Sequence, residues 1–286
     1  MDDPPGDGPL TAEPGPRLIP AGLDATLVLV RHGESTFIVE GRFQGQAETE
    51  LSPAGVEQAG LVAARLAHPD ARPALPVPPV APLEIVHSPL ARTAATASAI
   101  GSAIADPAAF GAPVVVRPDP GFVEIGQGEW EGLHRSEIEA RWGDVLATWR
   151  RRPLEAWAPG GEPLPEVQAR LRPALAGVLG TLAAAGGPGG TLDGPQVAGY
   201  RTGPAEGPWS VIVGHDGIFK VLLLTLFDLP LDRFWMWSFD LAGVSVVEIR
   251  GGRPLVRAMN LVEHLAPVLD EEARAETDAR RRAGAL

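Results

Sequence analysis

The stretch Thr26 to Glu34, TLVLVRHGE, decides the fold, because an apolar, β-branched run predicts a buried strand that ends here in polar residues. In an α/β protein, ligands bind at the carboxyl ends of the strands, and Arg31 and His32 stand at such an end. Polar groups are costly to bury, so this pair indicates an anionic partner or a reaction.

Composition and charge narrow the class of protein. The chain has 286 residues, of which 45% are hydrophobic, and this is enough for a globular α/β domain. It contains no cysteine, which excludes disulfides, cysteine zinc sites and thiol nucleophiles. The formal net charge of −12 argues against general nucleic-acid binding, although a local arginine cluster still suits a small phosphorylated ligand.

The sequence predicts a cytoplasmic protein with no contact to a membrane. Its first residues, MDDPPGDGPL, lack the positive start and apolar run of a signal peptide. The apolar stretch from Ile218 to Leu231 is too short to span a bilayer and includes Lys220 and Asp228. Proline and glycine concentrate in residues 1–24, 69–82 and 186–208, which we interpret as a disordered tail and two surface loops.

Strand and helix patterns alternate between these loops. Strands are predicted at 26–30, 83–87, 114–117, 210–213, 244–250 and 255–259, and helices at 53–66, 89–104, 136–151, 165–184 and 218–227. Ser52 and Pro53 suit a helix start, and Ile138, Trp142, Leu146 and Trp149 form one apolar stripe. This alternation predicts an α/β three-layer sandwich, with a mainly parallel central sheet, helices on both faces and the late strands at one edge.

Polar residues follow four of these predicted strands. The strand Ser210 to Val213 runs into GHDG, so His215 should reach the same sheet edge as His32. Arg92 lies one turn into a helix, where backbone amides favour an anion, and Glu124 follows the third strand. The edge is therefore predicted to gather Arg31, His32, Arg92, Glu124 and His215.

These side chains suit phosphoryl transfer. Two guanidinium groups and an imidazole can bind the phosphoryl oxygens and stabilise charge in the transition state. A neutral histidine offers a nitrogen nucleophile, and a carboxylic acid can protonate the leaving oxygen and later activate water.

The motifs resemble those of the histidine phosphatase superfamily, also called phosphoglycerate mutase-like. In family order they are RHGES at 31–35, GRFQG at 41–45, Ser88-Pro89-Leu90 with Arg92, Thr96 and Ala97, Val123-Glu124-Ile125 with Gly128, Trp130, Glu131 and Gly132, GHDG at 214–217, and Asn260 with His264 and Leu265. The similarity extends from the first strand to about His264.

The resemblance implies a role for each matched residue. His32 would be the phosphorylated nucleophile, Glu124 the proton donor, and Arg31, Arg92 and His215 the groups that hold the phosphoryl group. The implied substrate-binding set is Arg31, Arg92, His215, Ser35, Arg42, Gln44, Gly45 and Gly214. No metal or organic cofactor is implied, and the partner would be a small phosphorylated metabolite. The expected organisation is a catalytic domain over 25–265 with a small helical cap from insertions at about 130–208, followed by a helical or disordered tail at 266–286.

The chain departs from the family pattern beside the nucleophile. Ile38 stands where members usually carry a phosphate-binding asparagine, and Glu48 and Glu50 replace a common aspartate and proline. Loss of one neutral donor costs transition-state binding, so we expect weakened activity and an altered substrate preference.

Several alternatives stay open. Glu129 and Glu131 could replace Glu124 as the acid, and His87 is a candidate on the substrate side. A phosphoglycerate mutase would use the same phosphohistidine, but the segment IGQGEWEG is phosphatase-like. A non-catalytic phospho-ligand binding or scaffold protein is a third reading, and retention of the whole reactive set argues against it. The natural substrate and the oligomeric state are left open.

Overall fold

The structure of the chain is a computed structural model that describes residues 17–186 and 207–268. Most of the predicted tails (1–24 and 266–286) and of the second predicted loop (186–208) therefore lies outside the described residues, at 1–16, 187–206 and 269–286. Leu23 is buried, and its carbonyl accepts a hydrogen bond from the Gly252 amide at 2.9 Å. Residues just upstream of residue 25, the predicted start of the domain, are thus packed against it.

Every predicted strand and helix is present, with bounds that move by at most two residues. The strands are β1 (Ala25–Arg31), β2 (Glu84–His87), β3 (Val115–Pro118), β4 (Trp209–Gly214), β5 (Val244–Arg250) and β6 (Arg253–Leu261). The helices are α1 (Thr36–Val39), α2 (Pro53–Ala67), α3 (Ala91–Ala105), α4 (Arg135–Arg151), α5 (Leu164–Ala185) and α6 (Asp216–Leu226). Short 3-10 turns lie at Pro120–Phe122, Gly128–Trp130, Leu231–Met236 and Glu263–Leu265. The sequence did not predict α1.

The six strands form one sheet in the order β3-β2-β4-β1-β5-β6. The four strands from β3 to β1 are parallel, whereas β5 runs antiparallel to β1 and forms a hairpin with β6. Gly251 and Gly252 make the hairpin turn with φ of 54° and 79°, which glycine adopts without strain. The predicted mainly parallel sheet with late strands at one edge is confirmed.

Helices cover both faces of the sheet. Alternate residues of β1 point to opposite sides, so Val28 and Val30 pack with α2 and α3, while Leu27 and Leu29 pack with α5 and α6. The hydroxyl of Ser52 caps α2 by accepting from the Gly55 amide at 3.0 Å, as predicted. The three-layer α/β sandwich is therefore confirmed.

The predicted apolar stripe of α4 is interrupted. Ile138, Leu146 and Trp149 are buried, but Trp142 has φ −139° and ψ 34°, outside the helical region, and is only partly buried. The helix is thus kinked in its middle, and Trp142 packs at the margin of the core. The assignment of 130–208 to a cap stays a prediction, and α5 within it forms part of the layer against the sheet.

No helix within the described ranges is long and apolar enough to cross a membrane.

Candidate active site

Two histidines meet at the carboxyl ends of β1 and β4. These strands are parallel neighbours in which Arg31 is paired with Gly214, so the next residues, His32 and His215, lie side by side. The His32 amide donates to the Gly214 carbonyl at 3.0 Å, and the two ring centroids are 5.0 Å apart at an angle of 64°. The two histidines thus reach the same sheet edge, as predicted, and both side chains are buried.

The hydrogen bonding of His32 leaves one ring nitrogen available. Its Nδ1 lies 2.6 Å from the Gly33 carbonyl oxygen, which can only accept, so Nδ1 carries the proton. The lone pair of a neutral ring is then on Nε2. Burial, reinforced by the positive charges of Arg31 and Arg92, holds the pKa of His32 well below its ordinary value. The imidazole is therefore neutral and suited to nucleophilic attack.

Arg92 is fully buried in the first turn of α3 and is held by the loop that follows α1. Its Nη1 donates to the Ala47 carbonyl at 2.9 Å and to the Thr49 hydroxyl at 3.3 Å, and its Nη2 donates to the Gly45 carbonyl at 2.8 Å. The buried Nε has no hydrogen-bond partner among the described residues. The loop thus fixes the guanidinium through Nη1 and Nη2 and leaves Nε without a protein partner among the described residues.

Arg31 and His215 show the same pattern. Nη1 of Arg31 donates to the Phe239 carbonyl at 2.6 Å, while its buried Nε lacks a partner within the described ranges. Neither ring nitrogen of His215 is hydrogen-bonded to any described residue. Burial, together with His32 and the two arginines, keeps the pKa of His215 well below its ordinary value. Unpaired buried polar atoms are costly, so this cluster is built for a polar, anionic ligand.

Glu124 reaches the cluster from the loop after β3. Its Oε1 accepts from the amides of Ile125 and Ile218 at 2.9 Å each, and its Oε2 accepts from the Gly217 amide at 3.1 Å. The carboxyl group therefore lies at the amino end of α6, next to His215. Burial, aided by the charge of Asp216, raises its pKa even though the amide donors and Arg92 oppose the rise. This shift is toward the protonated form, which can act as an acid.

The two other acidic residues of this segment have different surroundings. Oε1 of Glu131 accepts from the amides of Gln46 and Gln127 at 2.9 Å each and so joins two loops. The side chain of Glu129 is 58% exposed and lies 3.8 Å from Arg141. Of the three carboxyl groups, only that of Glu124 contacts the turn that carries His215, and this geometry favours it as the acid.

The remaining residues of the predicted substrate-binding set make contacts of their own. The Ser35 hydroxyl caps α1 and donates to Oε1 of Gln44 at 2.6 Å, which also accepts from the Thr49 hydroxyl. Nε of Arg42 donates to Oε2 of Glu40 at 2.7 Å, and its Nη1 donates to the Gly132 carbonyl at 2.6 Å. Gly45 and Gly214 contribute carbonyl groups that hold Arg92 and the His32 amide. The structure does not bring the Arg42 guanidinium into the histidine cluster, and substrate contacts by this set stay a prediction.

His87 and Ile38 occupy less direct positions. His87 is buried at the end of β2, where its Nδ1 donates to the Ser88 carbonyl at 2.7 Å. Ile38 is partly buried in α1 and offers no side-chain donor. No group of three or more histidines and acidic residues within 17–186 and 207–268 is arranged to hold a metal ion.

Sequence reasoning missed the residues that support the cluster from behind. Thr49 holds Arg92, while Gln46, Glu162 and Arg170 bond to the loop that carries Glu124. One signal was present in the sequence: Arg170 lies three residues after Val167 and four before Ala174, at the edge of the apolar stripe of α5. A charged residue in that place predicts a buried partner.

Comparisons with known proteins find relatives that are similar in sequence and in fold. Glucosyl-3-phosphoglycerate phosphatase of Mycobacterium tuberculosis is 32% identical over 226 residues, which are 79% of this chain and 85% of that protein. Phosphoserine phosphatase 1 of Hydrogenobacter thermophilus is 26% identical over 243 residues, or 84% of this chain and 93% of that protein. The native structure of a mycobacterial glucosyl-3-phosphoglycerate phosphatase superposes with a TM-score of 0.64 at 28% identity, covering 84% of this chain and all of that one.

The profile of one protein family covers most of the chain. The histidine phosphatase superfamily (branch 1) matches residues 27–185 and 200–262, a span that includes every residue of the cluster. The two relatives described above are named as phosphatases of small phosphorylated compounds, which supports a phosphomonoesterase. The chain belongs to the histidine phosphatase superfamily, branch 1.

Proposed function

We propose that the protein hydrolyses phosphomonoesters of small organic molecules and that His32 carries the phosphoryl group between the two halves of the reaction. The observation that supports this most strongly is the buried cluster itself. Nδ1 of His32 is bonded to the Gly33 carbonyl, which leaves Nε2 for attack on phosphorus. Nitrogens of Arg31, Arg92 and His215 in the same cluster have no partner among the described residues.

In the first half-reaction, Nε2 of His32 attacks phosphorus as the bond from phosphorus to the ester oxygen breaks. Glu124 gives its proton to that oxygen, so the alcohol leaves neutral. The two arginines and His215 bind the remaining phosphoryl oxygens, where their donors stabilise the charge of the transition state. The raised pKa of Glu124 shifts it toward the protonated form, and the lowered pKa of His32 shifts it toward the neutral form, which are the forms that this step uses.

In the second half-reaction, water attacks the phosphohistidine. The Glu124 carboxylate takes a proton from the water as the new bond to phosphorus forms, and the phosphorus–nitrogen bond breaks to return neutral His32. Inorganic phosphate leaves, and Glu124 is again protonated. The same carboxyl group therefore acts first as acid and then as base.

We propose a small phosphorylated metabolite as the substrate. The named relatives act on phosphoserine and glucosyl-3-phosphoglycerate, and both compounds belong in the first panel of candidates. The formal net charge of −12 disfavours nucleic acid as a partner. The cytoplasmic location inferred from the amino-terminal sequence stays a prediction.

The proposal is tested with the purified full-length chain and a panel of phosphomonoesters that includes p-nitrophenyl phosphate. We expect release of inorganic phosphate and, after rapid acid-free quenching, an acid-labile phosphoenzyme. His32→Ala should abolish the label and lower turnover by about a thousandfold or more. The matched control is His68→Ala, because His68 is exposed at the end of α2.

Each outcome has a distinct meaning. A label that persists in His32→Ala refutes the nucleophile, and absence of turnover across the panel refutes the phosphatase. Transfer of phosphate between phosphoglycerate isomers without net release would identify a mutase instead.

A further inference from the structure

The loop that carries Glu124 has few backbone hydrogen bonds of its own. We call residues 121–126 the acid loop; it begins within the 3-10 turn Pro120–Phe122, leads toward the turn Gly128–Trp130 and belongs to no strand. One side chain of α5 satisfies three of its carbonyl groups. Nη1 of Arg170 donates to Gly121 at 3.1 Å and to Val123 at 2.9 Å, and Nη2 donates to Glu124 at 2.9 Å.

Glu162 holds Arg170 in that orientation. Its carboxylate accepts from Nε at 2.8 Å and from Nη2 at 2.9 Å, a paired geometry that restrains the guanidinium plane. Oε2 of Glu162 also accepts from the Gly126 amide at 2.7 Å. The ion pair therefore binds the acid loop at both ends, through carbonyl groups on one side and an amide on the other.

Gln46 connects this ion pair to the phosphate-binding side of the site. Its Nε2 donates to the Glu124 carbonyl at 3.0 Å and to Oε2 of Glu162 at 2.9 Å. Its chain neighbours Gly45 and Ala47 provide the carbonyl groups that hold Arg92. The same short loop, residues 45–47, therefore holds both the main chain of Glu124 and the guanidinium of Arg92.

We propose that Arg170 is a positioning residue for proton donation, which it serves with Glu162 and Gln46 by holding the main chain of Glu124. This inference rests on the proposed function. Arg170 contacts only the carbonyl of Glu124 and not its carboxyl group, so it acts through Glu124. A displaced carboxyl group protonates the leaving oxygen poorly, but attack by His32 is unaffected.

Dependence on the leaving group therefore distinguishes positioning from a structural role. Alkyl phosphates need a proton on the departing oxygen, whereas p-nitrophenolate leaves without one. For Arg170→Met we expect kcat to fall about 10- to 100-fold with an alkyl phosphate and less than about threefold with p-nitrophenyl phosphate. In a Glu124→Gln background the same substitution should cause no further loss with the alkyl substrate.

Two further variants separate loss of positioning from loss of stability. Arg170→Lys retains one donor in place of a fork and should give an intermediate loss with the same selectivity. Leu175→Ala, on the same helix, removes buried apolar contacts but no bond to the acid loop, so it should lower stability and affect both substrates alike.

The inference is overturned if Arg170→Met and Arg170→Lys lower kcat equally for both substrates, or if Arg170→Met adds its full loss to Glu124→Gln. If the wild-type protein turns over neither substrate, the proposed function fails and the inference fails with it. Turnover by wild type together with unselective losses overturns the inference alone.

Discussion

At the scale of single residues, the site depends on where each proton resides. His32 and His215 are buried among cationic groups and have lowered pKa values, while burial raises the pKa of Glu124. Each of these three shifts is toward the neutral form of the group. When a phosphate anion binds, its negative charge is compensated by the positive charges of Arg31 and Arg92.

Replacing Glu124 with glutamine should impair substrates according to their leaving groups. We expect a loss of about 100-fold or more with alkyl phosphates and about tenfold or less with p-nitrophenyl phosphate, because only the former need a proton donor. In the wild type, kcat/KM for an alkyl phosphate should decline as pH rises through the raised pKa of Glu124, and Glu124→Gln should lack this decline.

The exposed Glu129 supplies the control for this experiment. Glu129→Gln should behave like the wild type with both classes of substrate. A selective loss in that variant, with none in Glu124→Gln, would move the acid to residue 129.

Ile38 offers a test in which activity should increase. It stands at the position of an expected phosphate-binding asparagine, so Ile38→Asn would restore one neutral donor. We expect kcat/KM to rise about tenfold, below the full effect of an oxyanion donor because α1 must adjust. Val39→Asn, at an exposed neighbouring position, is the control and should change nothing. No gain in Ile38→Asn would contradict a role for position 38 in binding phosphate.

At the scale of elements, a close contact joins the acid to α6. A Cβ at Gly217 would lie 2.6 Å from Oε1 of Glu124 and 2.8 Å from Cδ1 of Ile125, so only glycine lets the helix end approach the carboxyl group. The parallel pairing of β1 with β4 similarly explains why the two histidines meet. Both contacts join segments that are far apart in the chain.

Substitution of Gly217 should therefore impair catalysis through Glu124. We expect Gly217→Ala to lower kcat with alkyl phosphates about tenfold or more, since the carboxyl group must move to admit the methyl group. Gly180→Ala provides the contrast, because its Cβ would meet nothing within 4 Å in the middle of α5. That variant should keep full activity and gain about 0.5–1 kcal/mol in the free energy of unfolding. Equal kinetics for the two variants would contradict the proposed contact.

At the scale of the whole molecule, the buried histidines make the free energy of unfolding depend on pH. Their pKa values are lowered in the folded state, so the unfolded chain takes up protons first as pH falls below about 6.5. Stability should decrease on acidification by about 1.4 kcal/mol per pH unit for each histidine until its folded pKa is reached. Glu124 acts in the opposite direction: because its pKa is raised in the folded state, its protonation increases the free energy of unfolding as pH falls from the folded pKa toward the ordinary pKa of a glutamate.

Denaturant unfolding of the wild type and of the double variant His32→Asn, His215→Asn between pH 7 and about pH 5 measures this effect. The double variant should show a shallower decrease in the free energy of unfolding. His68→Asn, at an exposed position, should retain the wild-type slope. Identical slopes in all three proteins would mean that the two buried histidines are not the source.

The amino-acid sequence by itself determined the layers and the reactive edge of this protein. Apolar runs in the sequence define β1 and β4. Residues that follow neighbouring parallel strands lie at the same edge of the sheet, so His32 and His215 could be placed together from local pattern. Arg92 was predicted from its place one turn into a helix together with the family motif Ser88-Pro89-Leu90-x-Arg92, and it lies in the first turn of α3.

Only the tertiary structure decided which carboxyl group lies beside His215, where the arginines are held and what supports the acid loop. Glu124, Glu129 and Glu131 are alike in sequence, and they are distinguished by contacts with α6, with solvent and with Gln46 respectively. The kink at Trp142 and the ion pair of Glu162 with Arg170 were likewise not predicted. Their physical reason is common: each depends on burial and on hydrogen bonds between segments distant in the chain, which no local periodicity encodes.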